Sequence, residues 1–211
     1  MKADESTYQE LADLGSATVY EAGGRGGYVD VDLIQILPGK SVAGPARTVR
    51  CGQDDNLMVH AAMAEVQPGE VLVLTMPKPR PVALVGDLLA TQAKAHGAAA
   101  ILVDAAVRDI DELAELGLPI WARWVRDKGA GKDIPGSIGD PVIVGGATIN
   151  QGDVLVLDAD GVAVIEPDRI TEVLEASRQR EQRERVKRLK LQAGELSYDL
   201  DGLRERVETA T

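Results

Sequence analysis

An apolar run, a helical segment and a second apolar run follow one another between residues 82 and 103. Residues 88–96 have helical spacing, and Gly97 follows them where a helix would end. Such a unit joins two parallel strands by a right-handed crossover, and ligands bind at the carboxyl ends of those strands. We therefore expect an α/β fold whose binding edge carries residues 86–87 and 104–109.

The other segments predict a mixed β-sheet with flanking helices in a single domain. Ser6 and Thr7, with Gln9 and Glu10 after them, have the spacing of a capping box, and Ser16 is placed to cap a second helix. Further helices are predicted over residues 56–66 and 110–116. Strands are predicted over residues 41–49, 71–74, 119–123, 142–144 and 154–165, the last with a hairpin turn at Asp160-Gly161.

Residues 168–207 predict a long polar helix with charges on every face. We therefore divide the chain into an α/β domain, residues 1–167, and a C-terminal helical extension, residues 168–211. A solvated helix is one interpretation. The other is that the extension packs on a neighbouring subunit, since a helix with little apolar surface is more easily held there, and this favours a homo-oligomer.

Composition excludes several classes of function. A formal net charge of -11 repels polyanions, so nucleic acid is a poor candidate partner. Cys51 is the one cysteine, which excludes an internal disulfide and a cysteine-based zinc cluster. The chain shows neither an apolar signal core nor a run long enough to cross a bilayer, so we expect a cytoplasmic protein without a membrane partner.

The segment Gly86 to Leu89 and the pair Arg108-Asp109 follow the two strands of the crossover unit. Gly86 permits a sharp turn, and the first amides of the next helix are free to bind a carboxylate. Arg108 can bind an oxo acid and stabilise an enolate, and Asp109 can ligate a hard cation such as magnesium. Asp87 can position a water for proton transfer.

Two other segments of the chain resemble one part of this pattern but lack the other part. Arg126-Asp127 is a second Arg-Asp pair, but Ala105 lies 21 residues before Arg126 and the surroundings predict a loop. Residues 152–155 imitate the glycine-aspartate turn, but Leu174 stands where an arginine would be needed. Only Asp87 with Arg108 and Asp109 has both parts.

Other residues compete for roles in the site. Asp104 also ends a strand and is the alternative metal ligand. An imine-forming lysine is a second mechanism, with Lys78, Lys94 and Lys128 as candidates. His60 and His96 fall within predicted helices and are not favoured as general bases.

The run GDLLATQAKAHGAAAILVDAAVRDIDEL, from Gly86 to Leu113, closely resembles the RraA-like family. Asp87, twenty intervening residues and Arg108-Asp109 match the pattern of its aldolase members. GPARTV, DDNLMVHAA, GLPIWAR and QGDVLVLDADGVAVI resemble further landmarks in the expected order, so the resemblance covers nearly the whole chain. The C-terminal helix resembles a segment of the class II pyruvate aldolases.

This resemblance implies a swivelling-domain-like mixed α/β sandwich, assembled as trimers or hexamers. It also implies cleavage of 4-hydroxy-4-methyl-2-oxoglutarate or 4-carboxy-4-hydroxy-2-oxoadipate with release of pyruvate, decarboxylation of oxaloacetate, and a divalent cation, magnesium or manganese. The resemblance also assigns roles by position. The pyruvyl carboxylate is bound by the backbone amides of Gly86, Asp87, Leu88 and Leu89. Arg108 binds substrate and stabilises the enolate, Asp109 ligates the metal, and Asp87 orients a water. Glu184, with Glu181 as second choice, approaches the metal through water from a neighbouring subunit.

A non-enzymatic regulator that binds ribonuclease E or another protein partner is the alternative, because the family's namesake inhibits ribonuclease E by binding. The intact set of Asp87, Arg108 and Asp109, together with the C-terminal helix, favours the enzyme. A methyltransferase label used in the family lacks support, since no glycine-rich nucleotide fingerprint follows a first strand. Ala105 stands where family members usually have Gly, and Glu21 where Asp is common, which leaves substrate choice open.

Overall fold

The structure is a computed structural model that describes residues 4–209. Its helices are Glu5–Leu14 (α1), Ser16–Ala22 (α2), Leu57–Ala62 (α3), Asp87–Ala95 (α4), Ile110–Leu116 (α5), Ile170–Gln192 (α6), Ser197–Leu200 (α7) and Leu203–Glu208 (α8). Its strands are Ile34–Gln35 (β1), Val42–Arg50 (β2), Val71–Thr75 (β3), Ala83–Val85 (β4), Ala100–Val107 (β5), Ile120–Val125 (β6), Ser137–Ile138 (β7), Val142–Val144 (β8), Ala147–Ile149 (β9), Val154–Leu157 (β10) and Val162–Ile165 (β11).

Nine of the strands in the described part of the chain form one mixed sheet in the order β1-β6-β5-β3-β2-β10-β11, with β4 beside β5 and β7 beside β2. The strands β2, β3, β5 and β6 run parallel, and β1, β10 and β11 are antiparallel to their neighbours. β3 and β5 are buried along their whole length, as expected for central parallel strands covered on both faces. The prediction of a mixed α/β fold with a long C-terminal helix is confirmed.

The crossover unit is β4, α4 and β5, and its two strands are parallel as predicted. The amide of Arg108 donates to the carbonyl of Val85 at 3.1 Å, and the amide of Arg126 donates to the carbonyl of Val107 at 2.9 Å. These two bonds place the carboxyl ends of β4, β5 and β6 side by side. The residues that follow the three strands therefore share one edge of the sheet.

The N-terminal caps differ from the predicted ones. Asp4, rather than Ser6 or Thr7, caps α1, because its Oδ1 accepts the amide of Thr7 at 2.9 Å. Ser16 is the first residue of α2 rather than its cap, and its amide and hydroxyl both donate to Asp158 at 2.6 Å. The carboxylate of Asp158, at the end of β10, therefore satisfies the start of α2.

The long polar helix predicted as the main element of residues 168–207 is observed as α6, which ends at Gln192. Gly194 has a φ of 95°, which ends α6, and the chain continues into the short helices α7 and α8. Lys187 donates to Asp201 at 2.7 Å and ties this terminal segment back to α6. The start of α6 is buried at Ile170, Val173, Leu174 and Ser177.

No helix in residues 4–209 combines the length and the apolar character that a membrane span requires. The division of the chain at residue 167 and the packing of its extension on a neighbouring subunit stay predictions.

Candidate functional site

Gly86 brings the start of α4 into contact with the end of β5. It is the N-cap of α4, with φ -130° and ψ -168°, and contributes no side-chain cap. A Cβ at this position would collide with Oδ2 of Asp109 and lie 3.1 Å from Nε of Arg108. The close approach of these two side chains therefore requires glycine at position 86. The sequence also favoured glycine here, but for the sharp turn rather than for the space it leaves.

Asp109 lies between the helix start and Arg108. Its Oδ2 accepts the amide of Asp87 at 3.2 Å and lies 3.4 Å from Nε of Arg108. Asp109 adopts the left-handed conformation with φ 61° and ψ 51°, which is uncommon outside glycine and tolerated by aspartate. Strand β5 thus ends by turning a carboxylate toward the positive end of α4 and beside a guanidinium.

The donor atoms of the site fit a metal ion that keeps most of its waters. Asp109 is the one predicted ligand that the geometry holds at this edge, and its side chain is 33% exposed. Within the described residues there is no group of three or more histidine, cysteine or acidic side chains that could hold a metal ion. Magnesium is bound in many proteins by one or two carboxylates with the remaining positions hydrated, so a single aspartate at an open cavity suits it.

Arg108 forms the wall of a cavity of about 210 Å³ beside the start of α4. Its residues come from α3, from β4 and α4, from the end of β5, and from the loop after β6: Asn56, His60, Ala83, Leu84, Gly86, Asp87, Leu88, Leu89, Arg108, Gly129, Ala130 and Lys132. A Cβ at Gly129 would lie 3.0 Å from Nη1 of Arg108, so a second glycine lets the arginine lie close to the backbone. The volume is below the range of about 300–1,000 Å³ usual for drug-sized ligands and suits a small acid.

Sequence reasoning missed Asn56, Gly129 and Lys132, and it set His60 aside. The signal that could have located the loop residues is topological, because they follow β6, the parallel neighbour of β5. No sequence spacing indicates that Asn56 lies near the sheet edge that carries Arg108. His60 lines the cavity, whereas His96 is the C-cap at the opposite end of α4.

Arg126-Asp127 lies at the site, which corrects its use as a control outside it. Both residues line a second cavity of about 320 Å³ together with Arg108, Asp109 and Val125. The prediction treated residues after β6 as an unrelated loop, whereas the parallel pairing of β5 and β6 brings the two Arg-Asp pairs together. Nη1 of Arg126 donates to the carbonyl of Val125 at 2.7 Å.

Asp104 is engaged elsewhere. Its buried carboxylate accepts a short hydrogen bond from Nε of Arg123. Burial raises the pKa of Asp104, and the positive charge of Arg123 opposes this shift without cancelling it. A carboxylate committed to Arg123 is a poor metal ligand, so the geometry favours Asp109.

The predicted lysine and glutamate candidates lie away from Arg108 within this chain. Lys78, Lys94 and Lys128 do not line the two cavities around it, and Lys94 instead donates to the carbonyl of Leu116. Glu184 is paired with Arg180 on α6 at 2.8 Å, and neither Glu184 nor Glu181 lines these cavities. Any contact of these glutamates with Asp109 would have to come from another copy of the chain.

Comparison with known protein sequences identifies the family of this chain. A family model described as "RraA-like: Aldolase/RraA" matches residues 10–164. A protein of Halalkalibacterium halodurans named "Putative 4-hydroxy-4-methyl-2-oxoglutarate aldolase" is 39% identical over 140 residues, which are 66% of this chain and 67% of that protein. The segment matched by the family model includes Asp87, Arg108 and Asp109.

Two solved structures share the fold. Streptomyces coelicolor RraAS2, described as an unusual member of the RNase ES inhibitor RraA protein family, has a TM-score of 0.78 at 31% identity and covers 89% of this chain and 98% of its own. The RNA-processing inhibitor RraA from Thermus thermophilis has a TM-score of 0.66 at 27% identity and covers 71% and 91%. The three relatives named above therefore carry names of two kinds, an aldolase and inhibitors of RNA processing.

Proposed function

This chain belongs to the RraA-like family, and on that premise we propose that it is a divalent-metal-dependent pyruvate aldolase. Its proposed substrates are 4-hydroxy-4-methyl-2-oxoglutarate, cleaved to two molecules of pyruvate, and 4-carboxy-4-hydroxy-2-oxoadipate, cleaved to pyruvate and oxaloacetate. Decarboxylation of oxaloacetate is the proposed side activity. The observation that carries the proposal is that Asp109 contacts both Arg108 and the start of α4, which together line one small cavity.

The start of α4 supplies the subsite for the pyruvyl carboxylate. The amides of Leu88 and Leu89 lie in the first turn and lack intrahelical acceptors, and the helix dipole favours an anion there. The amide of Asp87 is bound to Asp109 Oδ2, so a substrate carboxylate would share this end of the helix with Asp109. Binding there places the C2 carbonyl of the oxo acid on the side of Arg108.

Arg108 performs the electrostatic part of the reaction. In the cleavage the bond between C3 and C4 breaks, its electron pair forms the enolate of pyruvate, and the 4-hydroxyl loses its proton as C4 becomes a carbonyl. The guanidinium can donate to the C1 carboxylate and to the developing enolate oxygen at once. Protonation of C3 then completes pyruvate.

Asp87 and Asp109 have separate roles in this proposal. Asp109 would hold a magnesium or manganese ion, with Glu184, or less directly Glu181, of a neighbouring chain contributing through water. The bound cation would supply Lewis-acid polarisation of the substrate carbonyl. Asp87, on the first turn of α4 and lining the small cavity beside Arg108, would orient a water that receives and returns the proton.

Self-association is part of the proposal because the described part of one chain brings no three potential metal ligands together. Among the described residues, the C-terminal segment exposes several apolar side chains: Val186 at 53%, Leu189 at 63%, Leu196 at 56% and Leu203 at 38%. Burial of such residues against a second copy would bring α6 to another chain's site. Light scattering at micromolar concentration should show a trimer or a hexamer, and a monomer would contradict this part.

The first experiment measures pyruvate release from 4-hydroxy-4-methyl-2-oxoglutarate and from oxaloacetate, with excess magnesium and again after EDTA. Decarboxylation by metal alone is subtracted. We expect saturable release that EDTA abolishes and added magnesium restores. Borohydride with pyruvate should leave the protein mass unchanged, since an imine adduct would indicate a lysine mechanism instead. Absence of release above the background contradicts the proposal.

The second candidate is a regulator that binds ribonuclease E, favoured by the names of the two structural relatives. Direct titration with purified ribonuclease E, by calorimetry, tests it. Tight binding together with no turnover of either oxo acid would replace the aldolase proposal. Turnover without binding would remove the regulator.

A further inference from the structure

Strand β5 contains a β-bulge directly before the end that carries the site. Its pairing with β6 is regular up to Val103 and resumes at Ala106 with a shift of one residue. Asp104 and Ala105 therefore lie opposite the single residue Arg123 of β6. Bulges are rare between parallel strands, and near active sites they serve to re-aim side chains. This bulge is placed where it can control the direction in which β5 ends.

The bulge also marks the point at which β5 changes neighbour. The strand pairs with β3 up to Val103 and with β4 from Ala106 onwards. Beyond the bulge, the amide of Ala106 donates to the carbonyl of Val82 and the amide of Arg108 to that of Val85, both at 3.1 Å. The bulge therefore carries the end of β5 across to β4, and this places Arg108 beside the start of α4.

An ion pair spans the bulge on the face of the sheet that lies away from α4. Val103 and Ala105 both pack in the cluster beneath α4, so the side chain of Asp104 between them points to the opposite face. There Oδ1 of Asp104 accepts a short hydrogen bond from Nε of Arg123. The two side chains are 3% and 22% exposed, and the guanidinium lies 5.6 Å from the ring centroid of Trp124. The pair is thus largely shielded from water.

This ion pair ties β5 to β6 at the point where the ladder is weakest. Over Asp104 and Ala105 the registered pairing is interrupted toward β6, has ended toward β3 and has not yet begun toward β4. A buried ion pair often adds little net stability, and selecting one arrangement of the chain is its best supported role. Removing one partner leaves the other charge uncompensated, so Asp104 and Arg123 act as a unit.

We propose that Asp104 and Arg123 are positioning residues: their ion pair holds the bulge of β5, and the bulge places Arg108 and Asp109 at the start of α4. Neither Asp104 nor Arg123 lines the two cavities around Arg108, so both act through the strand. For its effect on catalysis this inference rests on the proposed function, whereas the placement of Asp109 can be measured without turnover.

The structural test uses the backbone amide of Asp87 as a reporter, since it donates to Oδ2 of Asp109 at 3.2 Å. In Asp104→Asn the NMR signal of this amide proton should move upfield, because Asp109 withdraws and the hydrogen bond is lost. Arg123→Gln should give the same change. It is the second variant because the side chain of Arg123 reaches the surface, so its replacement is tolerated by the fold. An unchanged Asp87 signal in both variants overturns the inference.

Glu70→Gln is the matched control, because it breaks another largely buried ion pair of the same sheet. Both carboxylate oxygens of Glu70 accept from Arg47 at 2.9 Å, at the amino end of β3 and away from the site. This variant should be less stable in urea unfolding and should leave the Asp87 signal in place. A signal that moves as far in Glu70→Gln as in Asp104→Asn would indicate a general loss of stability and overturns the positioning role.

The kinetic test is a double-mutant cycle with Arg108, measured by pyruvate release from 4-hydroxy-4-methyl-2-oxoglutarate. Asp104→Asn alone should lower kcat by about 10- to 100-fold and change KM by less than about threefold, since a displaced guanidinium no longer faces the enolate while the α4 amides still bind the carboxylate. In the Arg108→Ala background the same substitution should change kcat by less than about threefold.

The two tests separate the positioning role from the proposed function. Losses in kcat that multiply in the doubly substituted protein would show that Asp104 does not act through Arg108, and they overturn the positioning role. If the unmodified protein releases no pyruvate, the proposed function fails, and the Asp87 signal alone decides whether the ion pair places Asp109.

Discussion

Arg108 lies between two glycines, and both close approaches depend on a missing Cβ. One of them is Gly86, where a Cβ would meet Asp109 and Arg108, and the other is Gly129, where it would meet Nη1 of Arg108. The φ of Gly86, -130°, is one that any residue adopts. Its role is therefore the space it leaves at the site, and the backbone itself would tolerate a larger residue.

Gly86→Ala should damage the site more than the fold. The added methyl group would push Asp109 and Arg108 off the start of α4, so we expect kcat/KM for pyruvate release to fall at least about tenfold, which corresponds to about 1.4 kcal/mol. The melting temperature should change by less than about 4 °C, because the backbone conformation is allowed. Gly26→Ala is the control, since a Cβ there meets nothing within 4 Å. Equal losses in both variants would contradict this account of Gly86.

Arg108→Ala should remove the group that stabilises the enolate. We expect kcat to fall by about 10² to 10³, as for the loss of one preorganised donor at a developing oxyanion. Arg126→Ala is the comparison, because Arg126 lies at the same sheet edge but lines only the second cavity. It should stay within about fivefold of the unmodified enzyme. Steady-state kinetics with 4-hydroxy-4-methyl-2-oxoglutarate measure both, and near-normal turnover of Arg108→Ala would place the chemistry elsewhere.

The loop after β6 is an element without regular structure whose position depends on Asp55. Asp55 is 2% exposed, and its carboxylate accepts the amide of Leu57 at 2.9 Å and that of Asp133 at 2.7 Å. Burial acts to raise the pKa of Asp55, but the backbone amides of Asp133, Leu57 and Ile134 outweigh it and lower the pKa below its ordinary value. This one charge therefore joins α3 to the loop that carries Lys132.

Asp55→Asn should destabilise the protein in a pH-dependent way. A lowered carboxyl pKa contributes stability above the unfolded value of about 4 and loses it as pH falls through the folded value. We expect the free energy of unfolding to drop by about 1–3 kcal/mol at pH 7, and the gap from the unmodified protein to narrow below about pH 4. Urea unfolding at both pH values measures this. Asp54→Asn, which alters an exposed ion pair with Arg80, should cost less than about 1 kcal/mol, and a gap for Asp55→Asn independent of pH would contradict the argument.

The elements differ in how far the sequence could predict them. β4, α4 and β5 follow from local periodicity and from Gly97, and the pairing of Asp87 with Arg108 follows from their parallel strands. Asn56 and Lys132 are far apart in sequence, and only the order of the strands in the sheet brings them together, so no local pattern could indicate them. The end of α6 was missed because a single glycine in a polar helix costs only about 1 kcal/mol and is often tolerated.

The proposed assembly of several copies would give the C-terminal helix a role. The buried start of α6 holds it to its own chain, and Arg178 fixes it further by donating to Glu10 at 2.6 Å. Beyond that point the helix carries exposed apolar residues and Glu184, while no three potential metal ligands come together within the described part of the chain. A second copy of the chain would cover the exposed apolar residues, and the two chains together would complete the metal site.

Mixed assemblies test whether Glu184 acts in a neighbour's site. Asp109→Ala and Glu184→Gln should each be nearly inactive alone, and assemblies formed from equal amounts of both should regain about a quarter of full activity, because about a quarter of the sites combine an intact Asp109 with an intact Glu184 from the adjacent chain. Co-expression with two different affinity tags yields the mixed assembly, and pyruvate release measures it. Asp109→Ala mixed with Arg108→Ala is the matched control and should stay inactive, since both changes fall in the same part of the site. If the Asp109 and Glu184 variants fail to complement each other, Glu184 does not serve a neighbouring site and the metal must be completed by other groups.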